Sequence, residues 1–95
     1  MESNVALLIM NASDNIAIAI RRIHAGETVS DSKQKVSVVA TEEIPFGFKI
    51  AIQEIPKDSL IYKYGETIGK SVKTISAGQL VHVHNIVGLR GRGDL

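Results

Sequence analysis

Ninety-five residues make one domain with one core, and a chain this short buries only about two-thirds of its unfolded surface, which argues against a large self-contained active site. Hydrophobic residues make up 44% and charged residues 22%, a globular balance that excludes an intrinsically disordered chain. Eleven basic against ten acidic residues, with two Phe, two Tyr and no Trp, provide neither the field nor the stacking surface for nucleic acid or an anionic membrane, and the lack of cysteine excludes disulfides, thiolate catalysis and iron–sulfur ligation by this chain.

The first apolar run, Val5 to Met10, is six residues long and lacks a basic leader and a cleavage site, so it is expected to be a strand and not a signal peptide or a membrane span. A cytoplasmic protein is expected. Ile16, Ile18 and Ile20 then alternate with Ala17 and Ala19, which places the two sets on opposite faces of an extended segment. Glu27 to Lys35 is polar and is expected to be a solvated loop, and β-branched runs follow at Val36–Val39 and Lys49–Ile52. No stretch holds a 3.6-residue period over ten residues, so the chain reads as mainly β with short strands, tight turns and little helix.

A heptapeptide recurs in which Ile is followed three residues later by a turn residue and three further on by another apolar residue: Ile23–Val29, Ile44–Ile50, Ile55–Ile61 and Ile75–Val81. Glycine, and to a lesser degree Asp, tolerates positive φ, so each copy is expected to be a tight corner anchored by its flanking apolar side chains. The first and last copies agree further, Ile20-Arg21-Arg22-Ile23 with Val72-Lys73-Thr74-Ile75, while the uneven spacing argues against a solenoid and for a pseudo-symmetric β domain. Residues 1–87 are assigned to that domain and the Gly- and Arg-rich residues 88–95 to a flexible tail.

The succession Asp14-Asn15-Ile16-Ala17-Ile18-Ala19, Ile44-Pro45-Phe46-Gly47, Lys49-Ile50-Ala51, Lys63-Tyr64-Gly65-Glu66, Ile68-Gly69, Ala77-Gly78 and His82-Val83-His84-Asn85 resembles the SAF domain of the altronate and galactarate dehydratase family. The tail Leu89-Arg90-Gly91-Arg92-Gly93-Asp94 resembles the end of that family's free-standing small subunits. The resemblance implies a compact β-clip fold, a large catalytic dehydratase subunit as partner, a sugar-acid substrate, and metal-dependent loss of water to a 2-keto-3-deoxy acid. The divalent ion, iron, manganese or magnesium, is expected mainly in the partner. The family often has His before the Lys of the Pro-Phe-Gly segment; Phe48 stands there, and no ligand or metal role is assigned to that position.

If extended, His82 and His84 share one strand face, a spacing that suits two imidazoles on one divalent ion or on a sugar acid, and equally a solvated polar face. The resemblance favours the ligand reading and extends it to Asn85. Lys63 and Tyr64 beside a turn offer a cation for a carboxylate and a hydroxyl for a sugar, with Tyr packing and a solvated Lys as the alternative. Arg90 and Arg92 suit a carboxylate fork or docking on an acidic patch of the partner. Four residues face away from chemistry in this reading: His24 on an exposed turn, Lys49 outward from β-branched neighbours, and Glu42 with Glu43 as surface charge. With no dense acid/base cluster, the chain is expected to bind substrate for a divided enzyme and to be inactive alone. A carbohydrate-binding or assembly module, or a homo-oligomer paired through edge strands, are the competing readings.

Overall fold

The computed structural model describes residues 4–82 and 84–88. Nine strands form in chain order: β1 (Val5–Leu8), β2 (Ile16–Ala19), β3 (Thr28–Asp31), β4 (Ser37–Val39), β5 (Lys49–Ala51), β6 (Leu60–Lys63), β7 (Glu66–Ser71), β8 (Leu80–Val81) and β9 (Ile86–Gly88). No helix occurs among the described residues, so no helix there is long and apolar enough to cross a membrane. A six-stranded sheet runs β4-β3-β1-β2-β5-β8, antiparallel except for β1 with β3, and a three-stranded antiparallel sheet runs β6-β7-β9.

The four heptapeptides are the corners of this fold. Their fourth residues, Gly26, Gly47, Asp58 and Gly78, have φ of 91°, 86°, 68° and 94°, the left-handed region that favours glycine. Each turn closes with a hydrogen bond from the fifth residue's N–H to the second residue's carbonyl, Glu27 to His24, Phe48 to Pro45, Ser59 to Pro56 and Gln79 to Ser76. The first and seventh residues of every copy are no more than 1% exposed. Each such anchor contributes roughly 1.5–3 kcal/mol by burial, so the repeat is also the skeleton of the core.

The copies are joined in reciprocal pairs. Ile23 and Ile44 exchange both backbone hydrogen bonds at 2.9 Å, and Ile55 and Ile75 do so at 2.8 Å. Within the first pair, Gly26 N–H donates to Ala40 O and Gly47 N–H to Ala19 O; within the second, Asp58 donates to Ser71 O and Gly78 to Ala51 O. Each acceptor lies four residues before the Ile of the opposite copy, which is the two-fold relation that a pseudo-symmetric domain requires. All four acceptors are small and buried, so the corner of one copy can close over the entry strand of the other.

Two apolar clusters result. One contains Ala6, Leu7, Ala17, Ala19, Ile23, Val29, Val38, Ala40, Ile44 and Ile50; the other contains Ile16, Ala51, Ile55, Ile61, Ile75 and Val81. β2 and β5 therefore separate two cores, with Ala17, Ala19 and Ile50 toward the first and Ile16 and Ala51 toward the second. Ile20, placed with Ile16 and Ile18 by alternation, lies beyond the end of β2 and is exposed.

Candidate functional site

Lys63 and Tyr64 stand at the tip of the β6–β7 hairpin. Tyr64 and Gly65, at φ 57° and 78°, form the two-residue loop between the paired Lys63 and Glu66, as a right-twisted hairpin requires. The buried Asp14 holds this tip: its two carboxylate oxygens accept the N–H groups of Tyr64 at 2.9 Å and Gly65 at 2.7 Å. Asn15 fastens the strand behind it, donating to Leu60 O and accepting from Tyr62 N–H. With the backbone so fixed, Lys63 Nζ lies 5.0 Å from the centre of the Tyr64 ring, a cation–π arrangement in which both groups remain accessible.

Lys49, expected to face outward, is half-buried on β5. It stands opposite Ile18 and Val81, on the side of the sheet that carries the second core. Desolvation lowers its pKa below the ordinary lysine value, and the neighbouring Lys63 charge lowers it further. A half-buried ammonium on that side of the sheet is one that an approaching carboxylate would relieve.

The segment at His82 and His84 is not extended. β8 ends at Val81, and a turn follows in which His82 O accepts the N–H groups of Asn85 and Ile86. Asn85 causes this: its Oδ1 accepts His82 N–H at 3.0 Å and its Nδ2 donates to Leu80 O at 2.8 Å, so its side chain competes successfully with strand pairing. Asn85 is 2% exposed with both polar ends engaged, which makes it the clasp of the turn and removes it from ligand contact. The shared strand face assumed for the two imidazoles is therefore corrected. His82 and His84 are both exposed, and His82 packs on Phe48, with ring centres 5.1 Å apart and planes 47° apart. Among the described residues no group of three or more His, Asp or Glu side chains could hold a metal ion, and this pair in a turn does not fit a complete metal site. Arg90 and Arg92 lie outside the described residues.

Elsewhere, His24 sits exposed on its corner, Glu43 pairs with Arg22, and Glu42 accepts Leu80 N–H at 2.9 Å. A concavity of about 410 Å³ went unnoticed in the sequence; its lining includes Asn11, Asp14, Asp31, Lys33, Lys35 and Ile52. The expected solvated loop over 27–35 is corrected: Thr28–Asp31 is strand β3, paired with β4 and with Val29, Ser30 and Asp31 buried, so only residues 32–35 are a solvated loop, and Asp31 accepts Val36 N–H at 2.9 Å. That bond is the foremost cause of an Asp31 pKa below the ordinary 3.8. The signal for it was available: an Asp at the end of a β-branched strand, followed by polar residues, is a loop-closing acceptor.

Tight corners, an aspartate-pinned hairpin tip and a His-bearing turn are the features against which comparison with known proteins can be set. Residues 5–89 match the model of the altronate/galactarate dehydratase SAF domain. The chain belongs to that family. Over 76 residues this SAF domain is 38% identical to altronate dehydratase of Bacillus subtilis, covering 80% of the chain and 15% of that enzyme, and 36% identical to altronate dehydratase of Escherichia coli with the same coverage. It is 28% identical over 88 residues to the (2R)-sulfolactate sulfo-lyase subunit alpha of Chromohalobacter salexigens, covering 87% of the chain and 94% of that subunit. The SAF domain thus spans about 15% of the length of the dehydratases it matches. Its mainly β build of short strands and clamped corners is the compact β-clip expected from the motifs.

Proposed function

We propose that this SAF domain is the accessory, substrate-binding part of a lyase assembly whose catalytic groups reside in a larger partner. The observation that carries this reading is the pinned hairpin tip: Asp14 fixes the turn that presents Lys63 beside the accessible Tyr64, a cation for a carboxylate and a hydroxyl for a sugar, and no group of three or more His, Asp or Glu that could hold a metal ion accompanies it among the described residues. The near-complete overlap with a chain named as a subunit, the sulfo-lyase alpha subunit, supports a role within a complex.

In this reading the substrate is a polyhydroxy acid such as altronate or galactarate. Elimination removes the proton beside the carboxylate and expels hydroxide from the next carbon; the enol so formed tautomerises to the 2-keto-3-deoxy acid. Lys49 and Lys63 hold the carboxylate, which keeps the reacting carbon fixed relative to the partner's base. Tyr64 and the exposed imidazoles of His82 and His84 contact hydroxyls, and Arg90 and Arg92 are assigned to the substrate carboxylate or to an acidic patch of the partner. A divalent ion, iron, manganese or magnesium, belongs to the partner, since the described residues here do not form a site for one.

The test is reconstitution. The chain is purified alone and with its large subunit and assayed on altronate, galactarate and (2R)-sulfolactate. Activity is expected only from the complex, and His82→Ala is expected to reduce kcat/KM about tenfold, or about 1.4 kcal/mol of transition-state stabilisation. Full activity from the isolated chain would overturn the division of labour.

A further inference from the structure

β8 lies at the end of the six-stranded sheet, paired on its inner side with β5 through Lys49 with Val81 and Ile50 with Leu80. Its outer side is met by the segment after β4. Thr41 N–H donates to Gly78 O at 3.0 Å, the Thr41 hydroxyl donates to the same oxygen at 3.3 Å, and Glu42 Oε2 accepts Leu80 N–H at 2.9 Å. Gly78 and Leu80 stand two residues apart, so these are the alternate outward groups that a neighbouring strand would engage. Glu42, expected from the sequence to be surface charge, is half-buried and offers from its side chain the acceptor that a strand would offer from its backbone. The Leu80 carbonyl accepts Asn85 Nδ2 at 2.8 Å, and Asn85 Oδ1 accepts His82 N–H at 3.0 Å. Glu42 and the His-bearing turn therefore grip the same residue.

The same clasp occurs once more in the fold. In the third copy Asn15 Nδ2 donates to Leu60 O at 3.0 Å and its Oδ1 accepts Tyr62 N–H at 2.9 Å. Leu60 and Leu80 are the sixth residues of their heptapeptides, and Tyr62 and His82 are the residues that follow them. The two clasps differ in their anchorage. Asn15 is fixed apart from the strand it holds, its carbonyl accepting Ile52 N–H at 3.1 Å, and that strand, β6, pairs with β7 along four residues. Asn85 belongs to the turn it holds, and β8 is two residues long, so this clasp is only as fixed as Leu80. We propose that Glu42 is a positioning residue: by holding Leu80 N–H it sets where the His82–His84 turn stands, and through it where the two imidazoles meet the substrate. This role rests on the contact of those imidazoles with substrate hydroxyls proposed above.

The test uses the full chain, alone for amide exchange and with its large subunit for kinetics. Glu42→Ala is expected to speed exchange at Leu80 and His82 at least about tenfold, while Tyr62 on the other clasp keeps its rate. KM for altronate or galactarate is expected to rise about threefold with kcat unchanged, and the substitution is expected to add nothing once His82→Ala and His84→Ala are both present, because its effect passes through the turn. Glu42→Gln keeps an acceptor oxygen and is expected to restore exchange and KM to the parent values. Should Glu42→Ala not fold, Glu42→Asp, one methylene shorter, carries the same expectations. Unchanged exchange at Leu80, a KM penalty that adds in full to that of the histidine variants, or a Gln variant as impaired as the Ala variant would overturn the positioning role. An unchanged KM in Glu42→Ala, where the histidine variants bind substrate more weakly, would overturn it and leave the substrate contact of the turn standing. Histidine variants with parental kinetics, or a parent chain that restores no lyase activity, would overturn both.

Discussion

Gly78 passes so near Val39 that a Cβ built on it would lie 2.0 Å from the Val39 carbonyl oxygen. Thr41 N–H donates to Gly78 O at 3.0 Å, so the fourth corner is tied to the segment after β4. Gly26, at almost the same φ, has nothing within 4 Å of its would-be Cβ. Gly26→Ala is expected to cost about 1–2 kcal/mol for the backbone conformation alone, and Gly78→Ala more than about 3 kcal/mol, because backbone must also move. Urea unfolding of the two variants measures the difference, and equal costs would remove the close approach as a determinant of the fold.

Ser71 occupies the place that alanine takes in the other three copies, and its hydroxyl donates to Pro56 O at 2.6 Å and accepts Ser59 N–H at 3.0 Å. Ser71→Ala is expected to destabilise by about 1–2 kcal/mol, with the loss confined to the third corner. Faster amide exchange at Ser59 than at Phe48 or Gln79 is the local signature. The comparison is internal, since those two positions close the corresponding turns.

Removing the Asp14 carboxylate leaves two turn N–H groups without their acceptor. Asp14→Ala is expected to cost about 2–3 kcal/mol and to raise amide exchange at Tyr64 and Gly65 first. Because that turn aims Lys63, affinity of the complex for the sugar acid should also weaken. A KM effect without a kcat effect is the form expected of a positioning residue.

Lys49 titrates below 10.5 because burial, then Lys63, disfavours its charged form in the fold. A base whose folded pKa is lowered is a handicap to folding wherever both states are protonated, and the handicap fades as pH rises through the folded pKa toward 10.5. Lys49→Met is therefore expected to raise stability at neutral pH, by an amount of the order of 0.5–1 kcal/mol. The gain should shrink at alkaline pH. The same variant is expected to bind substrate more weakly. A variant that binds as well as the parent would take Lys49 out of the carboxylate seat.

Asp31 works on the acid side. Its pKa lies below 3.8 through the Val36 N–H, so it stabilises the fold above that value, and the contribution is lost as pH falls through the lower folded pKa. Glu27, lowered first by the Arg21 hydrogen bond and next by the His24 N–H, adds to the same limb. Asp31→Asn is expected to flatten the fall in thermal midpoint between about pH 5 and pH 2. An unchanged acid limb would place its origin in other carboxylates.

The corners were legible from sequence because their rules are local. An Ile, a residue tolerant of positive φ three places on and an apolar residue three further specify turn and anchors within seven residues, and the eight anchors all proved buried. The small residue four places before each Ile, Ala19, Ala40, Ala51 and Ser71, was also present in the sequence, but its meaning lies in a partner copy some twenty residues away. Which copies join is decided only when the chain closes on itself, since any two corners present the same backbone donors.

The site divides in the same way. Lys63-Tyr64-Gly65 could be read as a turn, yet its fixation by Asp14, fifty residues earlier in sequence, is a tertiary event. Alternation misplaced His82 and His84 because it assumes that strand pairing wins; the Asn85 side chain bonds the backbone and turns the chain instead. Sequence alone therefore determined the repeating corner, the mainly β character and the family motifs. Only the folded chain set Phe48 against His82, half-buried Lys49 on β5, and left both phenylalanines at the surface, because burial depends on which distant segments pack together.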